Sequence, residues 1–283
     1  MTTSFYVTLP SNVTGQVLFE RNTISNYVTR LATNLSLDGF EVGLSEISYT
    51  KSWFNLVEDQ SICVLDADGM MHTNGYEIKA GRYDDQQELV DYINRGLSTY
   101  KSDVIQQPPR FELNKHSRKI TNLAGRDRRD ASCYALLPLE LRNMLGFGDS
   151  FFAQRLGYSS IPTLHDTQIE IVQKSIKGDY DAFHSYDLNA GVHSLYVYCD
   201  IIEPSIVGDT YSQLLRVVEI PGSVPFGDQC IIRYEKPYYF SLNTRSFQTI
   251  EIDIKDDSGE RINFNFGRTR VVLHFRKKDG SLH

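Results

Sequence analysis

The chain has 283 residues, 41% of them hydrophobic and 23% charged, with a formal net charge of -7. That length buries a substantial core, in one large domain or two smaller units. The acidic balance argues against a protein that coats nucleic acid, because counterion release needs a dense basic surface.

The first predicted strand covers residues 4–9 (SFYVTL), which alternate and stop at Pro10. Residues 26–37 read as a second extended segment. In residues 40–49 the apolar positions Phe40, Val42 and Leu44 give way to Ile47 and Tyr49, which fall on the opposite parity. A bulge, or a strand that changes sheets, accounts for such a switch. The sole tryptophan follows in Ser52-Trp53-Phe54-Asn55, and residues 61–65 form a short strand closed by Asp66-Ala67-Asp68-Gly69.

From Asn74 the pattern changes. Asp84 and Asp85 precede residues 86–100, where Leu89, Val90, Ile93 and Leu97 recur at helical spacing. Residues 111–123 read as a hairpin, and residues 138–145 as a short helix ended by Gly146. Strands resume at residues 168–176, 194–202, 214–220 and 230–234, punctuated by turns such as Asn189-Ala190-Gly191 and Gly208-Asp209.

Residues 247–275 read as a meander of three strands. Ile250, Ile252 and Ile254 alternate with Glu251 and Asp253, and Asp256-Asp257-Ser258-Gly259 supplies a turn. Ile262, Phe264 and Phe266 resume the alternation, and Val271 to Phe275 is the third strand. The order implies an all-β fold, a discontinuous β-sandwich (residues 1–73 and 165–283) interrupted by an α+β insertion (residues 74–164).

Motifs with chemistry are missing. There is no GxSxG, HExxH, GxxxxGK[ST] or GxGxxG. Glu77 falls twelfth from Asp66, but Met70 and Met71 occupy the fifth and sixth positions, where a calcium loop needs a ligand and a glycine; the segment reads as a turn. Asp253, Asp256, Asp257 and Glu260 read as a solvated hairpin tip, with calcium binding as the alternative. Cys63, Cys133, Cys199 and Cys230 are widely spaced with no CxxC pair, which argues against a zinc site or a disulfide framework. The seven histidines are dispersed, and nothing local marks Cys133 as an activated thiol. No catalytic residue, metal ligand or cofactor follows. Residues 1–10 lack the features of a secretory signal, and no run approaches the ~20 apolar residues of a spanning helix. The expectation is a protein made inside the cell, without secretion or a membrane span.

The segments SFYVTLPSN, NTISNYVTRLATNLSLDGFEVGLSEISYTKSWFN, GYEIKAGRYDDQQELVDYIN, LGFGD, SLYVYCDIIEPSIVGD, LLRVV and FQTIEIDIKDDSGERINFNFGRTRVVLHFR carry a resemblance that covers most of the chain. They resemble the minor capsid protein of Polinton (Maverick) elements and related adintoviruses. Trp53-Phe54-Asn55 stands where the family has Trp-Tyr-Asn. The resemblance implies a jelly-roll penton subunit of the virion. It would form homopentamers at the vertices of an icosahedral capsid assembled inside the host cell. The implied partner is a double jelly-roll major capsid protein, with no enzymatic activity and no specific nucleic-acid binding.

A fivefold ring closes through a heterologous interface, in which two different patches of each subunit meet. Buried aromatic residues dominate interface energetics, so Trp53, Phe54, Tyr238, Tyr239 and Phe240 are the interface candidates; the competing reading places several of them in the sandwich core. A second functional reading is a jelly-roll carbohydrate- or receptor-binding module that uses Asp253, Asp256 and Asp257 for calcium and sugar.

Overall fold

A computed structural model describes residues 4–11, 19–66, 68, 71–72, 76–147, 179–189 and 192–278. The chain divides into two compact units, Met1–Trp53 with Gly191–His283, and Phe54–Ala190.

The first unit is built on eight long strands: β1 (Ser4–Pro10), β2 (Asn26–Ser36), β3 (Phe40–Thr50), β4 (Ser194–Cys199), β5 (Leu214–Glu219), β6 (Gln229–Arg233), β7 (Ser246–Lys255) and β8 (Arg270–Lys277). One sheet has the order β1-β8-β3-β6, the other β5-β4-β7-β2. First pairs with eighth, second with seventh, third with sixth and fourth with fifth, all antiparallel. This nested pairing across two sheets is a jelly roll, an eight-stranded double Greek key.

Alternation in the sequence decides which side chains fill it. On β7, Ile250, Ile252 and Ile254 are fully buried while Glu251 and Asp253 face outward. They meet Val42, Leu44, Ile47, Val271, Leu273 and Phe275 from the other sheet, all without solvent exposure. Tyr27 on β2 crosses between the sheets, its hydroxyl donating to the Leu9 carbonyl at 3.2 Å. The parity switch in β3 is a bulge: Glu46 pairs with Val272 and Leu44 with Leu273, which leaves Ser45 without an opposite residue on β8. The Ser45 carbonyl instead accepts from the Tyr234 amide at 2.8 Å. Nearby, Gly43 permits a close approach, because a Cβ there would lie 2.5 Å from the Tyr238 carbonyl oxygen.

The expected meander over residues 247–275 does not form. β7 and β8 lie in different sheets, and among the described residues the segment between them contributes one bridge, Lys255 to Arg261. The turn itself is present: Gly259 has φ +87°, and the Asp256 amide donates to the Glu260 carbonyl at 2.8 Å. Ile262 and Phe264 are buried although they belong to no strand, and Phe266 is 45% exposed. Alternating burial there comes from side chains packed into the core by a loop. The strand expected at residues 168–176 lies outside the described residues.

The second unit centres on helix α1 (Gln86–Ser98). Asp85 caps it, accepting from the Glu88 amide at 2.9 Å, and Leu89, Val90, Ile93 and Leu97 are buried with no exposure. That face joins Ile62, Val64, Ile78, Phe111 and Ile120 in a separate core. The hairpin expected at residues 111–123 is Arg110–Asn114 paired with Lys119–Leu123, and the short helix α2 is Leu139–Met144. Residues 54–73 and 179–189, read from sequence with the sandwich, fall in this unit. Cys63–Leu65 pairs with Ser132–Leu136, and Gln60–Ser61 with Glu77–Ile78. No described helix is long and apolar enough to cross a membrane.

Candidate interaction surface

The five aromatic candidates separate by burial. Trp53 is only 3% exposed; its ring meets Phe264 edge-on at 5.6 Å and tilts against Tyr49 at 6.2 Å, so it belongs to the core of the first unit. Phe54 is half-buried and opens the second unit. Tyr238, Tyr239 and Phe240 come together on the first unit, leading into a two-residue strand in which Phe240 pairs with Val42 of β3. Tyr238 is 65% exposed, while Tyr239 and Phe240 are half-buried.

Tyr238 is one half of a cation-π sandwich. The Arg216 guanidinium lies 3.6 Å from the ring centroid of Tyr234 and 4.2 Å from that of Tyr238. A bulge in β5 puts it there: Arg216 pairs with inward-facing Val197, Leu214 with Tyr198, and Leu215 is the extra residue. A charge is thus turned inward on an edge strand, a device that discourages strand addition from another chain. Around it opens a groove of about 960 Å³ lined from both edge strands, β5 and β6, and from Ser205–Val207, with Leu214, Ile220, Ile232 and Phe240 among its apolar walls and Glu219 among its polar ones. Arg216 has no carboxylate within ion-pair distance among the described residues, and its Nη1 is buried without a hydrogen bond. Burial pushes the Tyr234 phenol up, against the opposing pull of Arg216.

Tyr239 belongs to a second cluster, on the outer face of the β1-β8-β3-β6 sheet. Its hydroxyl lies 2.7 Å from His274 Nδ1, and Tyr6 stacks on the imidazole at 4.5 Å. Desolvation, helped by Arg276, lowers the His274 pKa and so favours the neutral ring. Arg276 lies 3.5 Å from the Tyr239 ring centroid and pairs with Glu41. On the same sheet Glu46 bridges Arg233 and Arg270, each at 2.7 Å.

The acidic hairpin engages its own residues. Asp253 pairs with Arg261 at 2.8 Å. Asp256 Oδ1 accepts from the amides of Ser258 and Glu260, both at 2.9 Å, and from the Ser258 hydroxyl at 2.6 Å. These bonds cap a turn. Asp66 does the same, accepting from the Asp68 amide at 3.0 Å and lying 2.8 Å from His72 Nε2. Among the described residues no group of three or more histidines, cysteines, aspartates or glutamates is arranged to hold a metal ion. The four cysteines are free, and burial pushes the Cys133 and Cys199 thiols up to about 11 and about 12.

Sequence reasoning did not single out Arg216. Its signal was present as the one charge inside the apolar run LLRVV, whose flanking residues are all buried or half-buried except Val217.

No family model matches the chain, and no curated protein sequence matches it. The solved structures similar to it include two that match over nearly its whole length. One is the mavirus penton protein, with a TM-score of 0.47 and 12% identity over 96% of this chain and 99% of that one. The other is the Sputnik virophage structure from electron cryomicroscopy, with a TM-score of 0.46 and 10% identity over 98% of this chain and 99% of that one. The jelly-roll assignment stands on the strand pairing described above.

Proposed function

We propose that this chain is a structural, non-enzymatic shell protein: a minor capsid subunit that forms pentamers at the vertices of an icosahedral particle. There it works beside a double jelly-roll major capsid protein. The resemblance of its sequence segments to Polinton-type minor capsid proteins motivates the reading. A fold alone does not fix function. The observation that carries the proposal is the surface of the jelly-roll unit, where Tyr6, Ile206, Tyr211 and Tyr238 are between 63% and 75% exposed. Large apolar side chains kept in water are a feature of surfaces that become buried on association.

The test is to purify the chain and image it by negative-stain electron microscopy over a concentration series, then to co-express it with a double jelly-roll major capsid protein. Fivefold rings, or vertex density in particles that disappears when this chain is omitted, are the expected results. A protein that stays monomeric at high concentration and whose omission leaves particles unchanged contradicts the proposal.

A further inference from the structure

The hairpin of the second unit, Arg110–Asn114 against Lys119–Leu123, ends in a tip that carries Lys115, His116, Arg118 and Lys119 and no acidic residue. All are exposed except Lys119, which is half-buried. The chain as a whole has a net charge of -7, and arginines elsewhere are held by carboxylates, as Arg129 is by Asp127 and Arg261 by Asp253. The two lysines and the arginine of the tip make no ion pair with the described residues. Like charges confined to one turn repel each other and add nothing to the hairpin, whose strands are held by their own ladder.

The tip is also held in shape. The Asn114 side chain accepts from the His116 and Ser117 amides at 3.0 and 3.1 Å. Arg118 takes φ +53°, a left-handed conformation uncommon for a residue other than glycine. Its carbonyl accepts from the Tyr186 amide at 3.2 Å, and its guanidinium lies 5.2 Å from the centroid of the Tyr186 ring. The cations are thus displayed on a fixed turn, which lowers the ordering cost of binding. We propose that this tip binds a sulfated polysaccharide, with Lys115, Arg118 and Lys119 each meeting a sulfate or carboxylate group along one chain. Guanidinium forks and ammonium groups both donate to such oxyanions. The tip is two strands wide, about 5 Å, which suits a slender chain with several anionic groups in each sugar pair. A nucleic-acid duplex is broader and would bring further phosphates toward Glu112 and Asp181, exposed on strands of the same sheet. The acidity of the rest of the chain likewise confines the attraction to the tip. The surface does not depend on the shell reading, although copies held in one particle would bind with avidity.

The test is titration of the full chain against heparin, the probe for this class. Lys115→Ser, Arg118→Asn and Lys119→Thr are combined in one variant; asparagine tolerates the left-handed φ at position 118. A control variant with Lys101→Ser, Arg128→Ser and Lys277→Ser removes the same charge from exposed positions elsewhere. Thermal melts show which variants are folded, and Lys115→Glu alone, at an exposed turn position, serves if the triple variant is not. The unaltered chain and the control are expected to bind at ~0.15 M salt, and the tip variant to lose roughly tenfold or more of the affinity, with a shallower dependence of log K on log salt. Lys115→Glu is expected to lose roughly threefold or more. Desulfated heparin should fail to compete. Absence of binding by the unaltered chain overturns the proposal, as does equal binding by the tip variant. An equal loss in the control reduces the effect to net charge and also overturns it. Single- or double-stranded DNA that competes as well as heparin at equal charge assigns the tip to nucleic acid and overturns the glycan.

Discussion

Phe275 on β8 joins the two sheets of the jelly roll. Its ring has no exposure, lies nearly parallel to Phe5 of its own sheet at 5.0 Å, and stacks on Phe247 of the opposite sheet at 6.1 Å. Truncating a buried phenylalanine costs about 3–5 kcal/mol. Ring pairs contribute about 0.5–1.5 kcal/mol beyond their buried area, and Phe275 makes two of them, so Phe275→Ala is expected near the upper end, about 5 kcal/mol. That approaches the whole stability of a marginal domain. Phe275→Leu, which keeps most of the volume, is expected to cost about 1.5 kcal/mol. The measurement is a urea titration followed by tryptophan fluorescence and extrapolated linearly to water. Trp53 is the sole tryptophan and lies in the same core, so the signal reports on the sandwich. A loss below about 2 kcal/mol for alanine, or equal losses for alanine and leucine, refutes the argument that this ring locks the sheets together.

Four further outcomes follow from local geometry. Gly43→Ala should destabilise the sandwich by about 1–3 kcal/mol in the same titration, because the new methyl meets the Tyr238 carbonyl. Asp85→Ala should cost about 1 kcal/mol and speed hydrogen exchange at the Glu88 amide, its cap partner. Glu46 has a lowered pKa, chiefly through its bond to Arg233, with Arg270 adding to the effect. A depressed carboxylate contributes stability above the ordinary glutamate range near ~4.3 and loses it as pH falls through the folded value. Glu46→Gln should therefore lower stability at neutral pH and flatten the acid limb of a stability-pH curve. With Cys199 raised to about 12 and Cys133 to about 11, a disulfide reagent should label half-buried Cys63 first and Cys199 only on unfolding.

Much of the jelly roll was legible because a strand with one buried face records that burial in its own alternation. The parity change between Leu44 and Ile47 allowed a bulge or a change of sheet, and the register places a bulge at Ser45. What alternation does not record is the pairing partner. Ile262 and Phe264 alternate as a strand would, yet they enter the core from a loop, with Phe264 edge-on to Trp53. For the same reason Cys63–Leu65 read as part of the sandwich, although its partner is Ser132–Leu136. Among the interface candidates Tyr238 is exposed and Trp53 lies in the core, and nothing in residue type separates the two positions. Arg216 stayed hidden because its importance comes from two rings distant in sequence, Tyr234 and Tyr238, that close around it.

The pairing of β1 with β8 also sets an order of events during synthesis. The Thr269 amide donates to the Ser11 hydroxyl across 258 residues of chain, which ribosomes take on the order of tens of seconds to add. Throughout that interval β1 lacks its neighbour, while residues 54–190 already contain the partners of their own sheets. The second unit can therefore fold as it emerges, and the sandwich closes only after β8 appears. Long-range closure of this kind is slow and leaves apolar strand edges open in the meantime. Yield in a heterologous host should thus depend more on chaperone capacity and growth temperature than on the final stability of the fold.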